Sequence, residues 1–169
     1  PLFANQMPLI EKCNRHAIQA ELGQAEILGQ TADNKKIFLF DSRYRSAVLE
    51  EIGRLRERTF RFVGEGTGNC KDLDEFDQYY LHLILWDDSD REIVGAYRLG
   101  EIWRWPHNEC RLLYSSTLFN YTKDAAELFA SGLELGRGFV QPEYWGSRSL
   151  DYLWQGIGAY LARNPKVKY

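Results

Sequence analysis

The chain has 169 residues, which is enough for one domain with its own hydrophobic core. Its formal net charge of −3 argues against a nucleic-acid-binding protein, and it has no apolar run near the ~20 residues that a membrane-spanning helix needs. The three cysteines and three histidines show no disulfide or metal-ligand spacing, so we expect free thiols in a reducing cytoplasm and no bound metal.

The first half of the chain begins with a weak pattern and then becomes periodic. Residues 1–35 are interpreted as a lead-in or interdomain linker, in which apolar residues recur at helical spacing only over 17–28. A short strand is predicted over 36–40 and an amphipathic helix over 46–58. The domain is therefore expected to occupy residues 36–169.

Arginine and glycine are concentrated around the predicted helix. Six arginines fall within nineteen residues, and either they form a surface that docks an acidic partner or they are a solvated helix face. These are Arg43, Arg45, Arg54, Arg56, Arg58 and Arg61. The glycine-rich stretch 63–69 lacks the Lys-Ser/Thr ending of a phosphate-binding loop, so a mobile substrate-covering loop is predicted there.

The second half predicts a hairpin, a further strand and a long helix. Strands are predicted over 79–86 and 91–99, with Asp-Asp-Ser-Asp between them as the turn. Their aromatic residues Tyr79, Tyr80, Trp86 and Tyr97 either line an acyl tunnel or fill the core. The remaining predictions are a short strand or turn over 113–119, a short helix over 124–129, a strand over 134–140, a helix over 147–163 with Trp154 in the core, and a strand from Lys166.

The unit from Leu133 to Tyr144 combines a strand, Val-x-Pro, a short turn and then a helix N-terminus. It resembles the acyl-donor loop of the GNAT acyltransferases. In such a loop, strand N–H and C=O groups can pair with pantetheine amides, and the helix N-terminus presents unpaired N–H groups to phosphate oxygens. The resemblance implies that the donor-binding residues are Phe139, Val140, Gly146, Ser147 and Arg148.

Two ordered sets of motifs extend the resemblance over residues 46–169. The first is similar to acyl-homoserine-lactone synthases, and its pieces are Arg56–Phe60, Asp74–Asp77, Gly95–Leu99 and Glu134–Arg137. The second is more similar to the ornithine-lipid N-acyltransferases and to related proteins described as hemolysins. Its pieces are Gly64–Gly68, Ile93–Arg98, Leu113–Phe119 and Leu153–Ile157.

This resemblance implies an α/β (α+β) GNAT-like fold, with a mixed, mostly antiparallel sheet flanked by helices and further strands after Tyr169. It implies transfer of a fatty acyl or 3-hydroxyacyl chain to an amino acid such as ornithine or glycine, in aminolipid synthesis. The donor would be the phosphopantetheine of acyl carrier protein, or acyl-CoA, with no permanently bound cofactor. It further implies a cytoplasmic location with peripheral contact to the inner membrane, and fusion to a glycerolipid acyltransferase domain in the full-length protein.

The reaction implied is attack of an amine on a thioester, which needs a proton acceptor and oriented charges. Glu134 is the candidate general base, and Asp74 and Asp77 are candidates to recognise the ammonium group or to hold Arg56. Arg56, Arg98 and Arg137 are either acceptor-binding groups or members of structural ion pairs. Strand alternation puts Glu134 and Arg137 on opposite faces unless the strand bulges.

Two alternatives remain open at this stage. The first is an acyl-homoserine-lactone synthase that uses S-adenosylmethionine. The second is a non-catalytic, hemolysin-like module that binds membranes.

Overall fold

The computed structural model describes residues 6–41, 46–104, 113–122, 124–125, 129 and 131–169. Within these residues the chain forms five strands and three α-helices that are described over their whole length, and residues 124, 125 and 129 of the predicted short helix are also helical. The helices are α1 (Arg15–Leu22), α2 (Ala47–Phe62) and α3 (Ser149–Arg163), and the strands are β1 (Glu26–Gln30), β2 (Lys35–Asp41), β3 (Leu81–Asp87), β4 (Glu92–Glu101) and β5 (Leu133–Val140). No helix among the described residues is both long and apolar enough to cross a bilayer.

The five strands form one sheet in the order β1-β2-β3-β4-β5, and all four pairings are antiparallel. Strand alternation sends Phe38, Ile84 and Ala96 towards α1 and α2, and Ile37, Leu83 and Leu85 towards α3. The sheet therefore has a hydrophobic core on each face. This confirms the predicted α/β architecture with a mostly antiparallel sheet.

The N-terminal segment is part of this fold. Ile18 and Leu22 of α1 are buried against α2, and β1 pairs with β2 at the edge of the sheet. The helical pattern over 17–28 is cut short because α1 ends at Gly23 and the chain continues directly into β1. The elements before and after residue 35 therefore belong to the same sheet and share the same hydrophobic core.

Helix α2 follows its predicted apolar pattern and extends beyond it to Phe62. Ser46 is its N-cap, since its hydroxyl accepts the Leu49 N–H at 3.1 Å. The C-terminal half of α2 anchors the glycine-rich stretch, because the buried Glu57 carboxylate accepts the N–H groups of Thr67 and Gly68 at 3.0 and 2.9 Å. Whether this stretch covers a substrate stays a prediction.

Helix α3 packs on the sheet through Leu153, Ile157 and Tyr160. The helix approaches the strands closely at Gly156, where a Cβ atom would lie 2.7 Å from Ile37 Cγ2. Trp154 lies two residues before Gly156 and therefore on another side of α3, and 55% of its surface is exposed. The prediction that Trp154 belongs to the core is therefore wrong, and its ring packs edge-on against Tyr97 at the border of the sheet.

Strand β5 contains a bulge at the predicted position. Ala96 and Arg98 of β4 pair with Phe139 and Gly136, so Tyr97 alone faces two residues of β5. Arg137, the first of these two, has a φ of +50°. The extra residue interrupts the alternation, so that Glu134 and Arg137 lie on the same face of the sheet, the face that carries α2.

Replacing Gly138 with Ala is expected to lower the free energy of unfolding by about 1–3 kcal/mol. A Cβ atom there would lie 2.3 Å from Tyr97 Cε1, and the Tyr97 ring is held by its contact with Trp154. Urea denaturation measures the effect. Gly136→Ala is the matched control, because a Cβ atom at Gly136 meets nothing within 4 Å. Equal stability of the two variants would contradict the prediction.

Candidate active site

A buried ion-pair network lies between α2, the segment before β3 and the end of β4. Arg56 makes a bidentate contact with Asp77, with Nη1 and Nη2 at 3.1 and 2.8 Å from the two carboxylate oxygens. Its Nε also donates to the Asp72 carbonyl at 3.1 Å. Arg56 and Asp77 are each only 1% exposed. Both Asp77 oxygens are thus hydrogen-bonded inside the protein, which is the arrangement expected if Asp77 holds Arg56 in place.

Arg98 joins the same network from β4. Its Nη1 lies 2.6 Å from Asp74 Oδ1 and 3.3 Å from Asp77 Oδ1. Three aromatic rings, those of Phe76, Tyr80 and Tyr114, surround the guanidinium carbon at 4.9–5.8 Å. The sequence-based expectation that a buried Arg98 needs carboxylate partners is therefore confirmed.

Arg137 reaches the network from the β5 bulge. Its Nη1 donates to Asp72 Oδ2 at 3.2 Å, and its guanidinium carbon lies 5.3 Å from the centre of the Tyr114 ring. Unlike Arg98, Arg137 has a quarter of its side chain exposed, as has Asp74. These two charged groups thus form the part of the network that a ligand can reach from solvent.

Glu134 binds a short 3₁₀ turn, Tyr114–Thr117, which agrees with the turn and not with the strand among the two alternatives predicted over 113–119. Its carboxylate accepts the N–H groups of Tyr114 and Ser115 at 3.1 and 2.9 Å and the Tyr80 hydroxyl. The Tyr80 oxygen in turn accepts the Tyr114 N–H at 2.9 Å. These contacts are hydrogen bonds and not an ion pair with an arginine, and the role of Glu134 as a general base stays a prediction.

Burial and charge act in opposite directions on the acidic groups of the network. Burial raises the pKa of Asp77, but Arg56 and Arg98 outweigh it and hold that pKa at about 2. For Asp72 burial prevails, and its pKa is raised in spite of Arg56 and Arg137. Burial also lowers the pKa of His82, whose Nε2–H donates to the Asp77 carbonyl at 3.0 Å, so His82 is neutral at pH 7. The pKa of Tyr80 is raised by burial and by its bond to Glu134.

Strand β5 lies at the end of the sheet, so its outer edge, on the side away from β4, is not paired with another described strand. Close to the start of β5, Leu133 N–H donates to the Tyr169 carbonyl at 2.9 Å, and Lys168 N–H donates to the Ser131 carbonyl at 2.8 Å. At its far end the Val140 carbonyl accepts the Trp145 indole N–H at 2.7 Å. Between these points, the described part of the chain provides no further backbone partner to the outer edge of β5. The strand predicted from Lys166 is therefore wrong: the segment is irregular and makes these two backbone hydrogen bonds beside the start of β5.

The turn after β5 leads directly into the N-terminus of α3. Pro142–Tyr144 form one 3₁₀ turn, and Gly146 has a φ of +76°, a conformation that glycine adopts without strain. Ser147 Oγ accepts the Ser149 N–H at 3.2 Å. The next two amides of α3, those of Leu150 and Asp151, have no partner among the described residues, as expected for a helix N-terminus.

The residues predicted to bind the donor lie in different environments, some exposed and some buried in the core. Gly146, Ser147 and Arg148 are exposed beside the N-terminus of α3, with the Arg148 guanidinium 5.4 Å from the Tyr152 ring. The Phe139 side chain is instead buried on the α2 face, so it cannot line a groove beside α3. Val140 packs with the core on the α3 face.

Two surface predictions need correction. The predicted arginine docking surface does not form as proposed, because Arg54 and Arg56 are buried in ion pairs, Arg61 is largely buried against Glu57, and Arg58 pairs with Glu143. Arg43 and Arg45 lie outside the described residues. The four aromatic side chains also do not line a common tunnel. Tyr80 and Trp86 lie on the α2 face and Tyr79 is exposed, whereas Tyr97 borders the opening by α3.

Sequence reasoning missed three contributors to the site. Asp72 holds Arg56 and Arg137, Tyr80 bonds Glu134, and Tyr114 packs against both Arg98 and Arg137. Charge counting could have found Asp72, because three partly apolar segments each carry an arginine and the stretch 72–77 contains three aspartates. Tyr80 and Tyr114 lie in stretches that the sequence singled out, but their roles in the site depend on contacts between distant segments and could not be predicted.

Comparison with known proteins places this architecture in a family. Residues 55–155 match the family described as Acetyltransferase (GNAT) domain. The chain is 36% identical over 176 positions to a glycine N(alpha)-acyltransferase of Bacteroides thetaiotaomicron, covering 95% of this chain and 52% of that protein. It is 32% identical over 166 positions to an L-ornithine N(alpha)-acyltransferase of Brucella abortus, covering 89% and 56%. No solved structure matches the chain.

The chain therefore belongs to the GNAT acyltransferase family. It spans about half the length of the relatives that it matches. Their names describe enzymes that acylate the α-amine of an amino acid, whether glycine or L-ornithine.

Proposed function

We propose that the protein transfers a fatty acyl or 3-hydroxyacyl chain from a phosphopantetheine thioester to the amine of an amino acid, as a step in aminolipid synthesis. One observation carries this proposal. The β5 bulge brings a charged cluster on one face of the sheet next to an open strand edge and a free helix N-terminus on the other. An amino acid and an acyl thioester can thus approach β5 from opposite sides, and the relatives' names agree with this chemistry.

The reaction needs no redox step. The amine nitrogen attacks the thioester carbonyl carbon, the C–N bond forms, and the C–S bond then breaks. One proton leaves the acceptor ammonium before attack and a second leaves the nitrogen as the amide forms. The departing thiolate takes up one proton, so one proton is released overall. The enzyme must therefore orient both substrates and accept a proton close to the nitrogen.

Glu134 is the proposed proton acceptor. Its Oε1 accepts one N–H, that of Ser115, and a carboxylate oxygen has capacity for a further hydrogen bond. The carboxylate lies on the same face of β5 as Arg137, where the charged cluster would hold the acceptor. A proton can reach it directly or through one water molecule.

The donor is proposed to lie along the outer edge of β5 with its phosphate at the N-terminus of α3. The free Leu150 and Asp151 N–H groups would receive phosphate oxygens, and Arg148 would add a cation. The Asp151 carboxylate lies in the same turn and opposes an anion, which makes the Arg148 cation more important. We propose acyl carrier protein as the donor's carrier, because it presents one phosphate, and a cytoplasmic location with peripheral contact to the inner membrane.

The proposal is tested with the protein at its full natural length, given acylated carrier protein or acyl-CoA and a panel of free amino acids. Mass spectrometry follows the N-acyl amino acid and the released thiol. We expect thiol release that depends on one amino acid and is faster with the carrier protein. Release without any acceptor dependence, or no release from either donor, would contradict the proposal.

Replacing Arg148 with Ala is expected to raise the KM for the donor about 3- to 30-fold, because one charge-assisted phosphate contact is lost, and to leave the KM for the acceptor unchanged. Arg163→Ala is the matched control, since Arg163 is an α3 arginine at the opposite end that pairs with Glu26. Steady-state kinetics with both substrates measures the effect. An unchanged donor KM in Arg148→Ala would remove Arg148 from the donor site.

A further inference from the structure

Three polar atoms of the charged cluster are buried and have no hydrogen-bond partner among the residues that the structure describes: Asp74 Oδ2, Arg98 Nε and Arg137 Nε. Buried polar groups in folded proteins are almost always paired, so an unpaired set calls for an explanation. The three belong to side chains that converge, because Arg98 and Arg137 lie within 5.4 Å of the same Tyr114 ring centre and both approach Asp74. Their unsatisfied donors and acceptor suit a ligand with opposite charges.

The Arg137 guanidinium has one edge that is hydrogen-bonded and one edge whose Nε is buried without a hydrogen-bond partner among the described residues. Nη1 is bound to Asp72 Oδ2 at 3.2 Å. Nη2 is 3.9 Å from Asp74 Oδ2, which is beyond hydrogen-bond length, and Nε has no partner among the described residues. The Nε–Nη2 edge thus presents two parallel N–H groups, the geometry that binds a carboxylate with two hydrogen bonds.

Asp74 has one oxygen in use and one available. Oδ1 accepts from Arg98 Nη1 at 2.6 Å, which fixes the carboxylate, and Oδ2 is left for a donor. The 3.9 Å separation between Asp74 Oδ2 and Arg137 Nη2 places an acceptor oxygen beside the Nε–Nη2 edge of the guanidinium. In an α-amino acid the ammonium and carboxylate groups are joined through a single carbon, so two adjacent and opposite protein charges match them.

We propose that the Nε–Nη2 edge of Arg137 binds the α-carboxylate of the acceptor amino acid and that Asp74 Oδ2 binds its α-ammonium group. This inference rests on the proposed function and identifies the acceptor subsite within it. Arg98 is a positioning residue, because it is 1% exposed and acts on the ligand through Asp74. The site selects an α-amino acid over an amine that lacks the carboxylate, and it sets the α-nitrogen on the Glu134 side of β5.

The test compares glycine and L-ornithine with their amides, glycinamide and ornithinamide, as acceptors for the full-length protein. An amide keeps the α-amine and lacks the carboxylate charge. We expect the wild type to prefer the acid in kcat/KM by about 10- to 100-fold, since one bidentate charged contact distinguishes the two. Arg137→Gln should reduce this ratio to near one, mainly through loss of activity with the acid.

Asp74→Asn should give a different signature. It removes the ammonium partner that acid and amide share, while its Oδ1 can still accept from Arg98. We expect kcat/KM to fall by about 10- to 100-fold for both acceptors and their ratio to stay as in the wild type. Arg163→Gln is the control and should change neither value.

The inference is overturned if Arg137→Gln lowers kcat/KM equally for acid and amide, because that is the result of a purely structural role. It is also overturned if the wild type does not prefer the acid. If the wild type acylates no amine at all, the proposed function fails on its own. Binding of glycine measured by NMR saturation transfer then tests the subsite directly, with loss of the signal in Arg137→Gln supporting the subsite and an unchanged signal overturning it.

Discussion

Replacing Asp77 with Asn is expected to lower the free energy of unfolding by about 3–5 kcal/mol, the usual effect of removing one partner from a buried ion pair. Asn fills the same space but loses the charge that faces Arg56 and Arg98, both of which are 1% exposed. Two buried guanidinium groups would then share the remaining charges of Asp72 and Asp74. Urea denaturation at pH 7 measures the loss, and Asp90→Asn, at an exposed turn position, is the matched control.

The same variant predicts a change with pH. The folded-state pKa of Asp77, about 2, lies below the ordinary value for an aspartate near 3.9. A lowered pKa stabilises the protein above the unfolded-state value, and this stabilisation is lost as the pH falls through the folded-state value. The difference in unfolding free energy between wild type and Asp77→Asn should thus be largest above about pH 5 and shrink towards pH 2. A difference that is small, or constant between pH 7 and pH 3, would contradict the assignment.

Replacing Glu134 with Gln is expected to lower kcat/KM for acyl transfer by about 10²- to 10⁴-fold, the range typical of a lost general base. The variant should also lose the acidic limb of the pH–rate profile. Gln keeps a carbonyl oxygen that can accept a backbone N–H, so the turn at Tyr114 and Ser115 retains part of its anchor. Stopped-flow detection of the released thiol, over a range of pH, measures both effects.

Tyr80→Phe separates the two roles that Glu134 can have. It removes the hydroxyl that bonds Glu134 and Tyr114 but keeps the carboxylate. If Glu134 is the base, Tyr80→Phe should reduce kcat/KM by no more than about tenfold, the value of one neutral hydrogen bond. An equal loss in both variants, with the pH–rate profile unchanged in shape, would show that Glu134 works by holding the 3₁₀ turn.

Local periodicity accounts for the parts of the fold that were predicted correctly. Helix α2, helix α3 and strands β2–β5 follow apolar patterns that report which face of each element is buried. The same patterns were weak over the N-terminal 35 residues, where they indicated a helix over 17–28 only, because α1 has eight residues and β1 is a short edge strand. For Trp154, the side of α3 that meets the sheet depends on the close approach at Gly156, which periodicity does not contain.

The candidate site, like the fold, has features that the sequence predicted and features that depend on tertiary contacts. The residue types and their order were enough to propose an acyltransferase of the GNAT family and to single out Glu134, Asp74, Asp77 and the three arginines, because buried charges require partners and the motifs recur together. Which of these residues pair with one another became clear only from the tertiary contacts. In Asp77 both carboxylate oxygens are hydrogen-bonded to Arg56, whereas Asp74 Oδ2 has no hydrogen-bond partner among the described residues. This difference depends on which guanidinium groups reach each carboxylate across the sheet.

The amino-acid sequence by itself thus determined the class of fold and singled out the segment proposed as the donor loop and the chemical groups of the candidate site, since these follow from local pattern and residue type. Only the tertiary structure decided which groups meet. The bulge at Arg137 moves one charged side chain to the face that carries Asp74, and burial closes off Arg54 and Arg56 from any docking partner. Both results depend on strand register and packing between segments far apart in the chain, which no local pattern encodes.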